Sequence, residues 1–196
     1  MSRGPQSLIL ATGNDHKVLE FSRLLPGMVL EGLPPGVELP PEVGTTYAQN
    51  ALGKAWAAAT ATGSVAIADD SGIEAEDLAG APGIRSARFA GETASDDQNL
   101  ELLEERVPAG GRLTYVCLIA IVDPIAKIEK IFEGRCNGTM SAKRSGSKGF
   151  GYDPVFIPED GDGVRTMADL SDQEKDRISH RGIAANQLLK HLNSLS

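Results

Sequence analysis

Short apolar runs alternate with helical patterns along the first third of the chain, and this alternation restricts the fold more than any other feature. Residues 7–11 (SLILA) read as a buried strand, and residues 14–25 as a helix with Val18, Phe21, Leu24 and Leu25 on one face. Residues 28–33 suit a second strand. The stretch 34–44, with four prolines and two glycines, is a loop. Thr46-Tyr47-Ala48-Gln49 has the form of a capping box, and the Ala-rich run behind it predicts a helix to Thr62 closed by Gly63. Residues 64–68 (SVAIA) predict a strand that ends directly in Asp69-Asp70-Ser71-Gly72. Ser95 caps an acidic helix ending near Arg106, and the apolar runs 113–123 and 127–133 predict a hairpin around Asp123-Pro124. Residues 136–151, rich in Gly, Ser, Lys and Arg, read as a loop, and residues 155–157 as a short strand. Ser171-Asp172-Gln173-Glu174 is a second capping box, and Ser179 can cap a last helix running to about Asn193. Alternation followed by a hairpin predicts an α/β fold on a mixed sheet.

A chain of 196 residues suits one compact domain, of one lobe or two, spanning 1–196. Cys117 and Cys136 have no metal-type spacing and read as buried thiols in strand-like runs. The net charge of −8 argues against a general nucleic-acid binder, which needs a basic face to neutralise phosphates. It leaves room for a small polyphosphate held by local cations, backbone N–H groups and a divalent metal. No apolar run is long enough to suggest a membrane span, and Leu8-Ile9-Leu10-Ala11 is too short for a signal peptide, so a cytoplasmic protein is expected.

Four segments carry chemistry. In Ala11-Thr12-Gly13-Asn14-Asp15-His16-Lys17 a strand gives way to a helix, whose first N–H groups and dipole favour a phosphate. Lys17 adds a mobile ammonium; the plainer alternative is an ordinary turn with Asn14 as N-cap. In Asp69-Asp70-Ser71-Gly72, adjacent carboxylates at a strand end repel unless a cation sits between them or one is protonated. A hard ion such as Mg²⁺ fits that need, with Glu42 as a second carboxylate; a solvated Asp-Asp turn is the alternative. In Gly149-Phe150-Gly151-Tyr152-Asp153-Pro154, two aromatics and an acid can stack on a purine and bond its edge, or can form a core-facing turn. In Ser179-His180-Arg181, cations at a helix start oppose the dipole, which points to an anion or a carbonyl-bearing base as their partner.

The order of these segments decides between the alternatives. The stretches LILATGNDHK (8–17), TTYAQNALGKA (45–55), ADDSGIEAEDLAGAPGIRSARFAG (68–91), GFGYDPVF (149–156) and DLSDQEKDRISHRGIAANQL (169–188) resemble the inosine triphosphate (Ham1-like) pyrophosphatases, above all the bacterial form acting on XTP, ITP and dITP. The resemblance spans nearly the whole chain. It implies an elongated mixed α/β-sheet domain with flanking helices, two lobes and a central nucleotide-binding cleft, usually as a homodimer. It implies that Thr12, Gly13, Asn14, Asp15, His16 and Lys17 hold the triphosphate, Asp15 and His16 through backbone position. Asp70 would be the catalytic carboxylate and a Mg²⁺ ligand, Glu42 a second metal-associated acid, and Ser71 a substrate contact. Phe150, Gly151, Tyr152 and Asp153 would frame the base, and Lys175, His180 and Arg181 would complete its pocket near the 6-oxo group. Three positions depart from the family pattern: Lys148 for a glycine, Arg85 for an apolar or aromatic residue, and Asp169 for a glutamate.

The activity so implied is hydrolysis of non-standard purine nucleoside triphosphates to the monophosphate and pyrophosphate. Which bond breaks comes from the resemblance and not from spacing. Two rivals stand beside it: a non-catalytic purine nucleotide sensor of the same fold, and a phosphatase or kinase that cleaves the terminal bond.

Overall fold

The computed structural model describes residues 7–195. Six strands form one mixed sheet in the order β2-β1-β3-β4-β5-β6. They are β1 (Ser7–Leu10), β2 (Val29–Glu31), β3 (Ala66–Ala75), β4 (Arg112–Asp123), β5 (Ile128–Met140) and β6 (Phe156–Pro158). Strand β1 runs parallel to β2 and β3, while β6 is antiparallel to β5. The α-helices among the described residues are α1 (Asp15–Leu24), α2 (Tyr47–Thr62), α3 (Asp96–Arg106), α4 (Asp172–Ile178) and α5 (His180–Ser194). The capping residues expected from the sequence close their helices: Asn14 on α1, Ser95 on α3, Ser171 on α4, and Gly63 at φ 67° after α2.

The chain divides into two compact units. The first comprises the stretch ending at Asp70, Cys117–Glu133 and the stretch from Ala184; the second comprises Ser71–Val116 and Gly134–Ile183. In the first unit β1 is buried on both faces, as expected of a parallel strand. Leu8 and Leu10 pack with Phe21, Ile67, Ile119 and Leu188, whereas Ile9 and Ala11 pack with the alanines of α2 and Ala66 and Ala68. The second unit is built around Phe156, Leu103, Leu113, Met167, Ile73, Tyr115 and Tyr152. Both cysteines are free and buried, and burial pushes the Cys136 thiol up to about 12.

Three expectations need correction. The strand predicted over 64–68 runs on to Ala75, so the Asp pair lies inside a strand and not at its end. Side chains alternate across a strand, so Asp69 and Asp70 point to opposite faces and each finds its own partners. The run predicted over 127–133 extends to Met140, and residues 138–140 pair with β6 where a loop was expected. Helix α1 turns Lys17, Glu20, Phe21 and Leu24 inward and leaves Val18 exposed, because Lys17 reaches Asp69.

Candidate active site

The acidic and basic groups of the first unit converge at the end of α2. Its buried stripe is Tyr47, Asn50, Ala51, Lys54, Ala55, Ala58 and Ala59, a helical repeat with alanines at one end and polar groups at the other. The alanines let the helix lie close on the sheet, and the polar end meets Asp70. Asn50 Nδ2 donates to Asp70 Oδ2 at 2.9 Å, while Asn50 Oδ1 accepts from the Gly44 N–H at 2.8 Å. Lys54 pairs with Glu42, which the proline-rich loop delivers. On the other face of β3, Lys17 Nζ lies 2.8 Å from Asp69 Oδ2.

Three carboxylates and two ammoniums are thus held in or beside buried surroundings. Burial, with help from the charge of Glu42, raises the Asp70 pKa against the lowering pull of Asn50, Lys54 and Lys17. For Lys54 burial pulls down, but Asp69, Glu42 and Asp70 outweigh it and the pKa is raised. Among the described residues no three His, Cys, Asp or Glu side chains gather as a metal cage. The charge of Glu42 adds to the cost of ionising Asp70, and these two carboxylates could hold a divalent ion at a phosphate. Such an ion takes one or two carboxylates and fills its octahedron with waters and phosphate oxygens.

At the start of α1 the arrangement differs from the expected cradle of open N–H groups. Asn14 Oδ1 accepts from the N–H groups of His16 (2.9 Å) and Lys17 (3.2 Å), and the Asn14 N–H donates to Thr12 Oγ1 at 3.2 Å. Gly13, Asp15 and His16 are exposed, and Thr12 and Asn14 half-buried. The loop is therefore preshaped by its own cap, and Lys17 is its fixed cation.

The second unit holds the other set. Asp153, 3% exposed, lies at the head of a 3-10 turn and accepts from three donors: Lys175 Nζ (2.7 Å), the Phe150 N–H (3.0 Å) and the Tyr115 hydroxyl (3.2 Å). Its oxygens are used within the unit, so its place is to hold the 149–153 loop and Lys175. Gly149 has φ +72°, and a Cβ there would stand 2.0 Å from Asp153 Oδ2, so only glycine admits this closure. The Tyr152 ring is in the core and its hydroxyl donates to the Ser86 carbonyl at 2.7 Å. Phe150 remains half-buried, with the Lys175 ammonium 5.4 Å and the Arg181 guanidinium 5.8 Å from its ring centre. The Gly151 N–H donates to Asp96.

His180 and Arg181 open α5, whose N-terminus Ser179 caps by accepting from the Gly182 N–H at 3.1 Å. Both are buried. Arg181 Nη2 donates to Ser71 Oγ at 3.0 Å, and the His180 ring lies flat on Tyr115, with centres 4.5 Å apart and planes 6° apart. Ser71 follows Asp70 directly along β3.

Sequence reasoning missed the parts of Asn50, Lys54 and Tyr115. Polar residues at i and i+4 on the inward face of an Ala-rich helix were a usable signal for the first two. Tyr115 sits in an apolar run and carries no such signal. Of the three departures, Arg85 is exposed beside Glu92. Lys148 is exposed too, and Asp169 accepts from the Thr166 N–H and the Ser145 hydroxyl.

A model described as the Ham1 family matches residues 8–191. The dITP/XTP pyrophosphatase of Desulforamulus reducens is 44% identical over 197 residues, covering 96% of each chain. Among solved structures, the Ham1 protein of Staphylococcus aureus superposes with a TM-score of 0.82 at 37% identity, over 97% of this chain and 100% of that one. A nucleoside-triphosphatase/dITP/XTP pyrophosphatase of Mycobacterium abscessus gives 0.72 at 38% identity, over 93% and 98%.

Proposed function

Because the chain belongs to the Ham1 family, we propose that it is a nucleoside triphosphate pyrophosphatase that hydrolyses dITP, XTP and ITP to the monophosphate and pyrophosphate. The observation that carries this reading is the cluster of buried Asp70, Asn50, Lys54 and Asp69 with half-buried Glu42 and Lys17. It offers a carboxylate of raised pKa beside fixed ammoniums, as water-mediated cleavage of a polyphosphate requires.

In this reading water attacks the α-phosphorus and pyrophosphate leaves. Asp70 orients the water and takes its proton, a task that a raised pKa favours. Asn50 keeps the Asp70 carboxylate from rotating. Lys17, anchored by Asp69, faces charge that develops on the leaving group, and Lys54 holds Glu42 in place. Asp70 and Glu42 would hold Mg²⁺, which neutralises phosphate oxygens and acidifies bound water. The loop from Thr12 to Lys17 receives the triphosphate.

On the base side, Phe150 offers a stacking face, and Lys175, His180 and Arg181 donate toward the 6-oxo edge. Ser71, bonded to Arg181, stands with them. ATP presents a 6-amino group and no N1–H, so a site arranged for the oxo edge leaves buried groups unpaired with it. Asp153 acts through Lys175. The reading also takes the chain as a single domain of two lobes with one nucleotide cleft, working as a homodimer on the free nucleotide pool of the cytoplasm. Among the described residues no helix is long and apolar enough to cross a membrane.

Turnover of dITP by Asp70→Asn tests the chemistry. The expected result is a loss of at least about a hundredfold in kcat, on the scale of a removed general base. Near-normal turnover with Mg²⁺ would take Asp70 out of the mechanism.

A further inference from the structure

Tyr115 is 7% exposed in β4 and meets two of the base-side groups at once. Its hydroxyl donates to Asp153 Oδ1 at 3.2 Å, while Oδ2 of the same carboxylate receives Lys175 Nζ at 2.7 Å. Its ring lies parallel to the His180 imidazole at 4.5 Å and is backed by Phe156 at 4.6 Å with a 43° tilt. We propose that Tyr115 is a positioning residue for base selectivity, fixing the plane of His180 and the rotation of the Asp153–Lys175 pair together. This rests on the reading of Lys175, His180 and Arg181 as the groups that read the purine edge.

Phenylalanine would fill the same core space, so packing alone does not account for the hydroxyl. A buried hydroxyl costs free energy unless it is bonded, and here its bond goes to a carboxylate that anchors Lys175. Burial and the charge of Asp153 hold the phenol far above its ordinary range, which keeps it a donor across the working pH. Without that donor the Asp153 carboxylate is freer to rotate and to carry Lys175 with it. Without the stack the imidazole plane is freer to tilt, and hydrogen bonds weaken as their angle falls. Discrimination between an oxo and an amino edge depends on those angles, whereas gross affinity for the triphosphate does not.

The experiment measures kcat and KM of Tyr115→Phe and Tyr115→Leu for dITP, XTP and ATP, with the melting temperature of each and His180→Ala as companion. Tyr115→Phe keeps the ring and loses the hydroxyl. The expected result is a raised KM for dITP and XTP and a roughly tenfold fall in their preference over ATP, the size of one lost bond to a charged group. Tyr115→Leu should lower the preference further. A purely structural part would instead lower all three nucleotides by one factor together with the melting temperature, and that overturns the proposal. So does an unchanged preference in Tyr115→Phe. If His180→Ala abolishes the preference while Tyr115→Phe retains it, Tyr115 alone is misassigned; if both retain it, the base-side reading fails too.

Discussion

Burial raises the pKa of Asp70, with Glu42 adding to it and Asn50, Lys54 and Lys17 opposing it, so at neutral pH the fold carries a carboxylate charged against its local preference. The sign is opposite to that of an ordinary surface acid. A folded-state pKa above the unfolded value contributes stability that is fully present below the unfolded pKa and lost as pH rises through the folded one. Above that window the ionised group works against folding. In metal-free buffer at pH 7.5, Asp70→Asn should therefore melt above the parent. The gap should close as pH falls toward about 4, the ordinary carboxylate pKa. Mg²⁺ should raise the melting temperature of the parent and have a smaller effect on the variant, since a ligand that binds the folded state stabilises it. Differential scanning at both pH values checks this; a variant less stable at pH 7.5, with an equal response to Mg²⁺, would contradict it.

Helices and strands decide which of these residues the sequence reveals. The caps were legible because a cap is local: Asn14, Ser95, Ser171, Ser179 and Gly63 all stand where side-chain chemistry puts them. Lys17 and Asp70 were singled out by spacing and likeness. The reach of β3 through Asp69 and Asp70 was not, because two adjacent acids read locally as a turn. Only long-range partners, Lys17 on one face and Asn50 on the other, make them tenable in a strand. The partners of Tyr152 and Asp153 within the fold were hidden for the same reason, since Ser86, Tyr115 and Lys175 lie far off in sequence. The 149–153 turn is the element most exposed to test. Gly149→Ala should cost about 1–3 kcal/mol through its positive φ and its clash with Asp153. It should also weaken the preference for dITP over ATP, because Lys175 loses its anchor. Kinetics and melting on the one variant check both, and an alanine tolerated with full preference would show that the turn does not set the base side.

For the whole molecule, alternation announced a mixed α/β sheet, but not the strand order β2-β1-β3-β4-β5-β6, in which β1 lies between its two successors. That order comes from which buried faces meet, and one strand says little of it. A net charge of −8 is reconciled with the proposed polyanionic substrate by placement: Lys17, Lys54, Lys175 and Arg181 are all largely withdrawn from solvent at the two candidate groups. The central claim is hydrolysis between the α and β phosphates of non-standard purine nucleotides, and the most direct measurement is the identity of the phosphate product. Purified protein with Mg²⁺ is incubated in turn with dITP, XTP, ITP, ATP and GTP, and each product mixture is resolved. The account predicts pyrophosphate and monophosphate from dITP, XTP and ITP, with ATP left nearly intact. Orthophosphate and a diphosphate, equal hydrolysis of ATP, or tight binding of dITP without any product would contradict it.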